Sequence, residues 1–158
     1  MNPRCVVLGM VTYLIIILII AVAIAPLASA LPSKAQRREA QLRSYASSIG
    51  LTIKLEPIPD IPARFRFSPS PNLVAYRLRD ASGEDRVQDK LLLLRVEGQW
   101  IDISTESPVK LSVDDGPAGA EIASVNRGVA TVFWNERGDD ADVNRLHQLL
   151  KHLLAFRR

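Results

Sequence analysis

The sequence has very little of the chemistry on which disulfide-linked and metal-binding proteins depend. Its 158 residues include one cysteine and two histidines, and 6% of the residues are aromatic. Because the single cysteine is Cys5, no disulfide can form within the chain. This absence agrees with a cytoplasmic location for the domain, where thiols stay reduced, but does not establish one.

The motifs that mark common catalytic sites are also missing. The sequence contains no G-x-x-x-x-G-K-[ST], G-x-G-x-x-G, G-x-S-x-G, H-E-x-x-H or C-x-x-C pattern. His147 and His152 are five residues apart, so on one helix they face different sides and cannot share a metal ion. We predict no catalytic, cofactor-binding or metal-binding residues and a non-enzymatic protein. A membrane-tethered hydrolase is an alternative if folding brings an acid–base pair together.

What the sequence does contain is one long apolar run. Residues Val6 to Leu31 carry no charge, and about 20 apolar residues are enough to cross a ~30 Å hydrocarbon layer as a helix. The run is apolar on every face, which disfavours burial inside so small a domain. We predict a membrane anchor at residues 1–31 with a single transmembrane helix. The alternative is signal-peptide cleavage after Ala30, which would release a periplasmic or secreted ligand-binding domain.

Basic residues flank the apolar run unequally, and this indicates both topology and a lipid contact. Arg4 precedes the run, whereas Lys34, Arg37, Arg38 and Arg43 follow it. The positive-inside rule therefore predicts a bacterial inner-membrane protein with its N-terminus outside and its C-terminal domain in the cytoplasm. Each cation near anionic headgroups contributes about 1 kcal/mol to membrane binding, so we predict that these four residues contact the membrane surface.

Small residues form a stripe within the apolar run. Ala21, Ala25 and Ser29 recur every four residues, a spacing that lets another transmembrane helix approach closely. Because alanine is common in membrane helices, the stripe also fits a helix without such a partner. These three residues are therefore a candidate helix–helix packing site.

The chain beyond the anchor is nearly neutral. Arg4 is the only one of the 20 Lys and Arg residues in residues 1–31, so the other 19 almost balance the 17 Asp and Glu residues. Four arginines alternate with aromatic residues in the sequence: Arg64, Arg66, Arg77 and Arg79, with Phe65, Phe67 and Tyr76. The alternation directs the aromatic rings away from the arginine face, unlike the stacking surface of a protein that binds single-stranded nucleic acid. We expect no nucleic-acid partner, and the arginines could instead meet an acidic protein or the membrane surface.

Hydrophobic periodicity predicts an α+β domain after the anchor. A basic juxtamembrane helix is predicted within residues 32–50, because Ser33 and Gln36 form a capping box and Gly50 stands where a glycine ends a helix. A second, amphipathic helix follows Asp139 or Asp140, either of which can cap it. It is expected to cover one face of a small, mostly antiparallel sheet in the domain at residues 51–158.

The strands of this sheet are predicted from alternation with period two. They are 51–56, 73–80, 91–96, 100–103, 121–125 and 128–134, with a short edge strand at 64–67. The pair Gly98-Gln99 predicts a two-residue hairpin turn of type II′ between the strands on either side.

The junction after the apolar run has the sequence Leu31-Pro32-Ser33-Lys34-Ala35-Gln36-Arg37-Arg38-Glu39-Ala40-Gln41-Leu42-Arg43, followed by Gly50-Leu51. It resembles a group of uncharacterised bacterial single-pass membrane proteins. In architecture these are similar to YajC, the accessory subunit of the preprotein translocase. The resemblance covers about 40 residues and implies an apolar helix, a basic helix and a small domain. We therefore predict an accessory or assembly protein whose ligands are the lipid bilayer, its anionic headgroups and another membrane or cytoplasmic protein, with no cofactor.

Overall fold

The computed structural model describes residues 12–24, 33–80, 90–111 and 116–156. The chain separates into two compact units, residues 1–37 and 38–158. In the first unit, residues 12–24 form helix α1, which is about 20 Å long at 1.5 Å per residue. Within the described parts of the chain, no helix combines the length and the apolar character needed to cross a membrane.

The basic helix is present with the predicted ends. Helix α2 spans Lys34–Ser48 and buries Leu42 and Ala46. The Gln36 amide donates to Ser33 Oγ at 3.2 Å, and the Ser33 amide donates to Gln36 Oε1 at 2.9 Å, which completes the predicted capping box. Gly50 follows with a φ of 91°, a left-handed conformation that glycine adopts without steric cost, and the chain leaves the helix there.

Within its described residues, the second unit is built on a seven-stranded antiparallel sheet. The strands are β1 (Thr52–Lys54), β2 (Val74–Arg79), β3 (Leu91–Val96), β4 (Gln99–Asp102), β5 (Ser107–Val109), β6 (Ala120–Asn126) and β7 (Val129–Trp134). Helix α3 (Asp140–Phe156) follows the last strand. The order across the sheet is β1-β2-β7-β6-β3-β4-β5, so the β6–β7 hairpin lies between β2 and β3, which are neighbours in sequence. The predicted α+β class is confirmed.

One predicted strand is wrong. Residues Ala63–Phe65 form a short 3-10 helix instead of an edge strand, and Arg66 follows with a φ of 47°. Prolines on both sides of the segment lack the N–H donors that a strand ladder needs. Its alternation still separates the side chains: Phe65 and Phe67 pack against buried residues of the sheet, whereas Arg64 and Arg66 are exposed.

The predicted hairpin turn is displaced by one residue. Glu97 and Gly98, rather than Gly98 and Gln99, connect β3 to β4, with φ values of 49° and 83°. Positive φ at both central positions defines a type I′ turn, whose twist matches that of the strands it joins. Arg127 and Gly128 form the same kind of turn between β6 and β7, with φ values of 47° and 69°.

The first face of the sheet is covered by α3, as the sequence predicts, and also by α2, whose packing on the sheet was not predicted. The amphipathic stripe of α3 is buried: Val143, Leu146, Leu149, Leu150 and Leu153. These side chains form one cluster with Leu42 and Ala46 of α2 and with alternate strand residues that include Tyr76 and Trp134. Asp139 caps α3, because its Oδ1 accepts from the amides of Ala141 and Asp142 at 3.0 and 3.1 Å.

The second face has no α-helix among the described residues and is covered over only part of its area. The proline-rich segment 57–72 crosses it. Four apolar side chains of that segment pack on a smaller buried cluster: Ile58, Ile61, Phe65 and Phe67. Towards the outer ends of β2 and β7 the same face carries polar side chains instead, among them Arg77, Arg79 and Thr131. The sheet therefore has one closed face and one partly open face.

Candidate functional site

Arg43, one of the four predicted membrane-contact residues, forms an ion pair with the buried carboxylate of Glu136. Arg43 Nε and Nη2 donate to the two carboxylate oxygens of Glu136 at 2.7 and 2.6 Å, and the Tyr76 hydroxyl donates to Oε1 at 2.7 Å. The Glu136 side chain is 5% exposed and that of Arg43 is 38% exposed. The three residues come from the turn after β7, from α2 and from β2, so they connect α2 to the sheet.

The surroundings of Tyr76 and Arg43 keep both of these groups protonated. Burial, followed by the hydrogen bond to Glu136, raises the pKa of Tyr76 above its ordinary value, so the phenol remains protonated. The hydrogen bond to Glu136 raises the pKa of Arg43, so the guanidinium remains charged. Both carboxylate oxygens are therefore occupied by donors. This arrangement suits a structural link between α2 and the sheet.

The remaining predicted basic residues differ in their surroundings. Arg38 Nη2 donates to the carbonyl oxygen of Gly138 at 2.6 Å, so α2 has another polar contact with the residues before α3. Lys34 and Arg37 belong to the first unit, and their side chains are exposed. Contact of all four residues with a membrane surface stays a prediction.

The predicted stripe of small residues lies mostly outside the described parts of the chain. Ala21 is exposed on α1, whereas Ala25 and Ser29 fall in the segment that the structure does not describe. Packing of a second helix at these positions stays a prediction.

The structure separates the four arginines that the sequence analysis compared. Arg64 forms an ion pair with Glu106 at 3.0 Å and lies over the ring of Phe65 at 5.1 Å. Arg77 donates to Glu56 Oε1 at 2.7 Å. Arg79 is exposed and makes no ion pair with any residue that the structure describes. Two of the four therefore have carboxylate partners within the domain.

Arg77 and Arg79 line a polar cleft on the open part of the second sheet face. This feature, the sheet cleft, has a volume of about 560 Å³, and its cationic lining residues are Arg77, Arg79, Lys90 and Arg127. Ser124 and Thr131 contribute hydroxyl groups to its floor, and the register places Thr131 between Arg77 on β2 and Ser124 on β6. The arrangement can offer several positive charges above a hydrogen-bonding floor.

The histidines do not form a site. His147 is half-buried, whereas His152 Nδ1 lies 3.0 Å from the carbonyl oxygen of Gln148. Desolvation and then the charge of Lys151 lower the pKa of His147. Among the described residues, no three His, Cys, Asp or Glu side chains are grouped closely enough to hold a metal ion.

Replacing Arg43 by glutamine should lower the free energy of unfolding by about 1–3 kcal/mol. The loss leaves the Glu136 carboxylate buried without its cation, and the partial exposure of Arg43 keeps the effect below that of a fully buried pair. The measurement is urea unfolding of the full chain in detergent, followed by the fluorescence of its buried tryptophans. Lys34→Gln is the matched control and should change the midpoint very little. Equal midpoints for the two variants would show that Arg43 does not hold α2.

The stability of the domain should fall as the pH is lowered through about 6.5, the ordinary pKa of histidine. Since the folded-state pKa of His147 is lowered, the unfolded chain binds the proton first, and the stabilisation present above that pH is lost on acidification. His147→Gln should reduce the change in unfolding free energy between pH 7 and pH 5. Lys151→Gln removes the nearby charge that also lowers the pKa of His147. It should reduce the change in unfolding free energy between pH 7 and pH 5 by a smaller amount. The same pH dependence in wild type and His147→Gln would contradict the assignment.

The sheet cleft is the feature that the sequence analysis did not foresee. Arg77 and Arg79 belong to the alternating pattern, but Lys90 and Arg127 follow Arg79 by 11 and 48 residues and are part of no motif. All four residues line one cleft because the β6–β7 hairpin is inserted between β2 and β3. Comparisons with protein-family models, with curated proteins and with solved structures found no match.

Proposed function

We propose that this chain is a non-enzymatic, single-pass protein of a bacterial inner membrane whose cytoplasmic domain binds a protein partner in an accessory or assembly role. The observation that carries the proposal is the exposure of every large apolar side chain of α1, from 46% for Ile16 to 71% for Tyr13. Exposed apolar area costs about 25 cal/mol per Å² in water, and a contiguous apolar surface of this kind is typical of membrane or protein contacts. A bilayer would cover all sides of the helix at once.

The length of the apolar sequence supports a span rather than a shallow insertion. Helix α1 alone is about 20 Å long, which is less than the ~30 Å of a hydrocarbon core. The uncharged run continues in sequence beyond both ends of α1, from Val6 to Leu31. A helix of about 20 of these residues would be long enough to cross the hydrocarbon core. The cations of α2 then favour the cytoplasmic side for the domain.

The domain itself supports a binding role. Its first sheet face is closed by α2 and α3, and the polar cluster at Glu136 has its hydrogen bonds satisfied internally. The second face is different, because part of it remains open and presents the sheet cleft. A surface with hydroxyl groups and with cations that form no ion pair with the described residues is a suitable contact for a polar partner.

The topology can be measured by protease treatment of spheroplasts that express the chain with a C-terminal tag. We expect a full-length, membrane-bound band that is protected until detergent is added. Digestion of a full-length band in intact spheroplasts would reverse the topology. A shortened, soluble band that begins at Leu31 would show cleavage after Ala30 and a domain outside the cytoplasm.

The partner can be sought by photo-cross-linking in intact membranes, with a photoreactive amino acid at the exposed position 126 on the rim of the sheet cleft. We expect one or a few discrete protein adducts, because a binding face concentrates the contacts. The matched control has the photoreactive residue at position 148, which is exposed on α3. Products that contain only monomer and lipid at position 126 would contradict the binding role.

A further inference from the structure

The charges that line the sheet cleft are unbalanced. Four cationic side chains face two carboxylates, Glu56 and Asp80. The Glu56 carboxylate already accepts from Arg77 at 2.7 Å, and Asp80 has its own partner. Three cations of the cleft make no ion pair with any part of the chain that the structure describes: Arg79, Lys90 and Arg127. An external anion can therefore bind these three cations without breaking an ion pair that the described residues form.

The three cations are spread around the floor of the cleft. β7 and β6 lie between β2 and β3, so Arg79 on β2 and Lys90 just before β3 are separated by three strand spacings, or about 14 Å. The third cation is Arg127, in the turn of the intervening hairpin. The distance between these two strands matches the length of an extended chain of about four residues, because such a chain advances 3.2–3.4 Å per residue.

The floor between the cations suits the main chain of such a segment. Thr131 is 7% exposed and Ser124 is half-buried, so both hydroxyl groups lie low in the cleft. A hydroxyl can donate to a peptide carbonyl or accept from a peptide N–H. Pro57 and Pro59 form part of one wall and offer no N–H groups of their own. The floor therefore offers hydroxyl groups to a ligand, and this wall offers no N–H donor from its prolines.

The cleft does not resemble a surface for stacking bases. Phe133 is its one aromatic lining residue, and its side chain is 2% exposed. Proteins that bind single strands without sequence preference use exposed aromatic rings together with basic grooves. Because the proposed partner is a protein, the anionic groups that these basic side chains can bind are its carboxylates.

We infer that the sheet cleft binds a short acidic segment of a protein partner in extended conformation. Its side chains at alternating positions point to one side, where carboxylates can meet Arg79, Lys90 and Arg127. This inference rests on the proposed function, since it specifies the chemistry of the partner segment that the domain recognises.

The test uses the full chain in detergent micelles and a fluorescein-labelled octapeptide of alternating glutamate and serine. Fluorescence anisotropy should show saturable binding that weakens as salt is raised, because exposed charges are screened. Replacing all three cations by glutamine (R79Q, K90Q and R127Q together) should weaken binding at least tenfold. The matched control removes three exposed cations elsewhere: R66Q, K110Q and K151Q together. It should bind like wild type.

Several outcomes would overturn the inference. These are equal loss of binding in the two triple variants, equal binding of a peptide with glutamine in place of glutamate, and no saturable binding by the wild-type chain. Tighter binding of a labelled single-stranded oligonucleotide or of anionic vesicles, lost in the same cleft variant, would assign the cleft to that ligand instead. The single variant R79Q should retain the thermal unfolding midpoint of wild type but bind the peptide more weakly. This result would separate an effect on recognition from an effect on folding.

The two proposals can fail independently. If the triple cleft variant still gives the protein adduct of wild type in intact membranes, the binding function stands and the acidic-segment inference fails. If wild type gives no protein adduct, the binding function fails whatever the peptide titration shows.

Discussion

The position of α2 on the domain depends on the buried carboxylate of Glu136. Helix α2 is mostly polar and contributes only Leu42 and Ala46 to the buried residues, so apolar packing alone defines its register weakly. The bidentate contact between Arg43 and Glu136 further defines the orientation of α2 on the sheet, because a planar guanidinium binds a carboxylate in few orientations. Tyr76 completes the site from the sheet, and its ring packs edge-on to Trp134 at 5.6 Å. One acidic side chain thus joins a helix, a central strand and the core.

The two faces of the sheet follow from different physical chemistry. Helical side chains with a regular apolar stripe close the first face, and burial there is extensive. A segment rich in proline cannot pair as a strand or continue as a helix, so on the second face it lies across the strands with a few apolar side chains inward. A single segment of this kind covers only part of the second face. The polar ends of β2, β6 and β7 therefore stay uncovered, and they form the sheet cleft.

Local patterns predicted local structure well. The capping box, the stripe of α3 and the alternation of β2 all depend on neighbours within a few residues, and the structure confirms each. The strand predicted at residues 64–67 was wrong because alternation alone does not reveal whether a neighbouring strand is available for pairing. β5 was not predicted, since it has three residues with Pro108 in the middle. The partner of Arg43 and the composition of the cleft depend on contacts between distant parts of the sequence, which periodicity does not encode.

The placement of the β6–β7 hairpin has a consequence for synthesis. β2 and β3 emerge from the ribosome in succession but do not pair with each other, because the two strands that separate them are made last. Until then the chain holds two incomplete sheet fragments with unpaired edges, and small fragments of this kind are marginally stable. The late hairpin joins both fragments and simultaneously creates the floor of the cleft. The floor of the cleft can therefore form only after β6 and β7 have been synthesised, and a chain truncated before β7 lacks it.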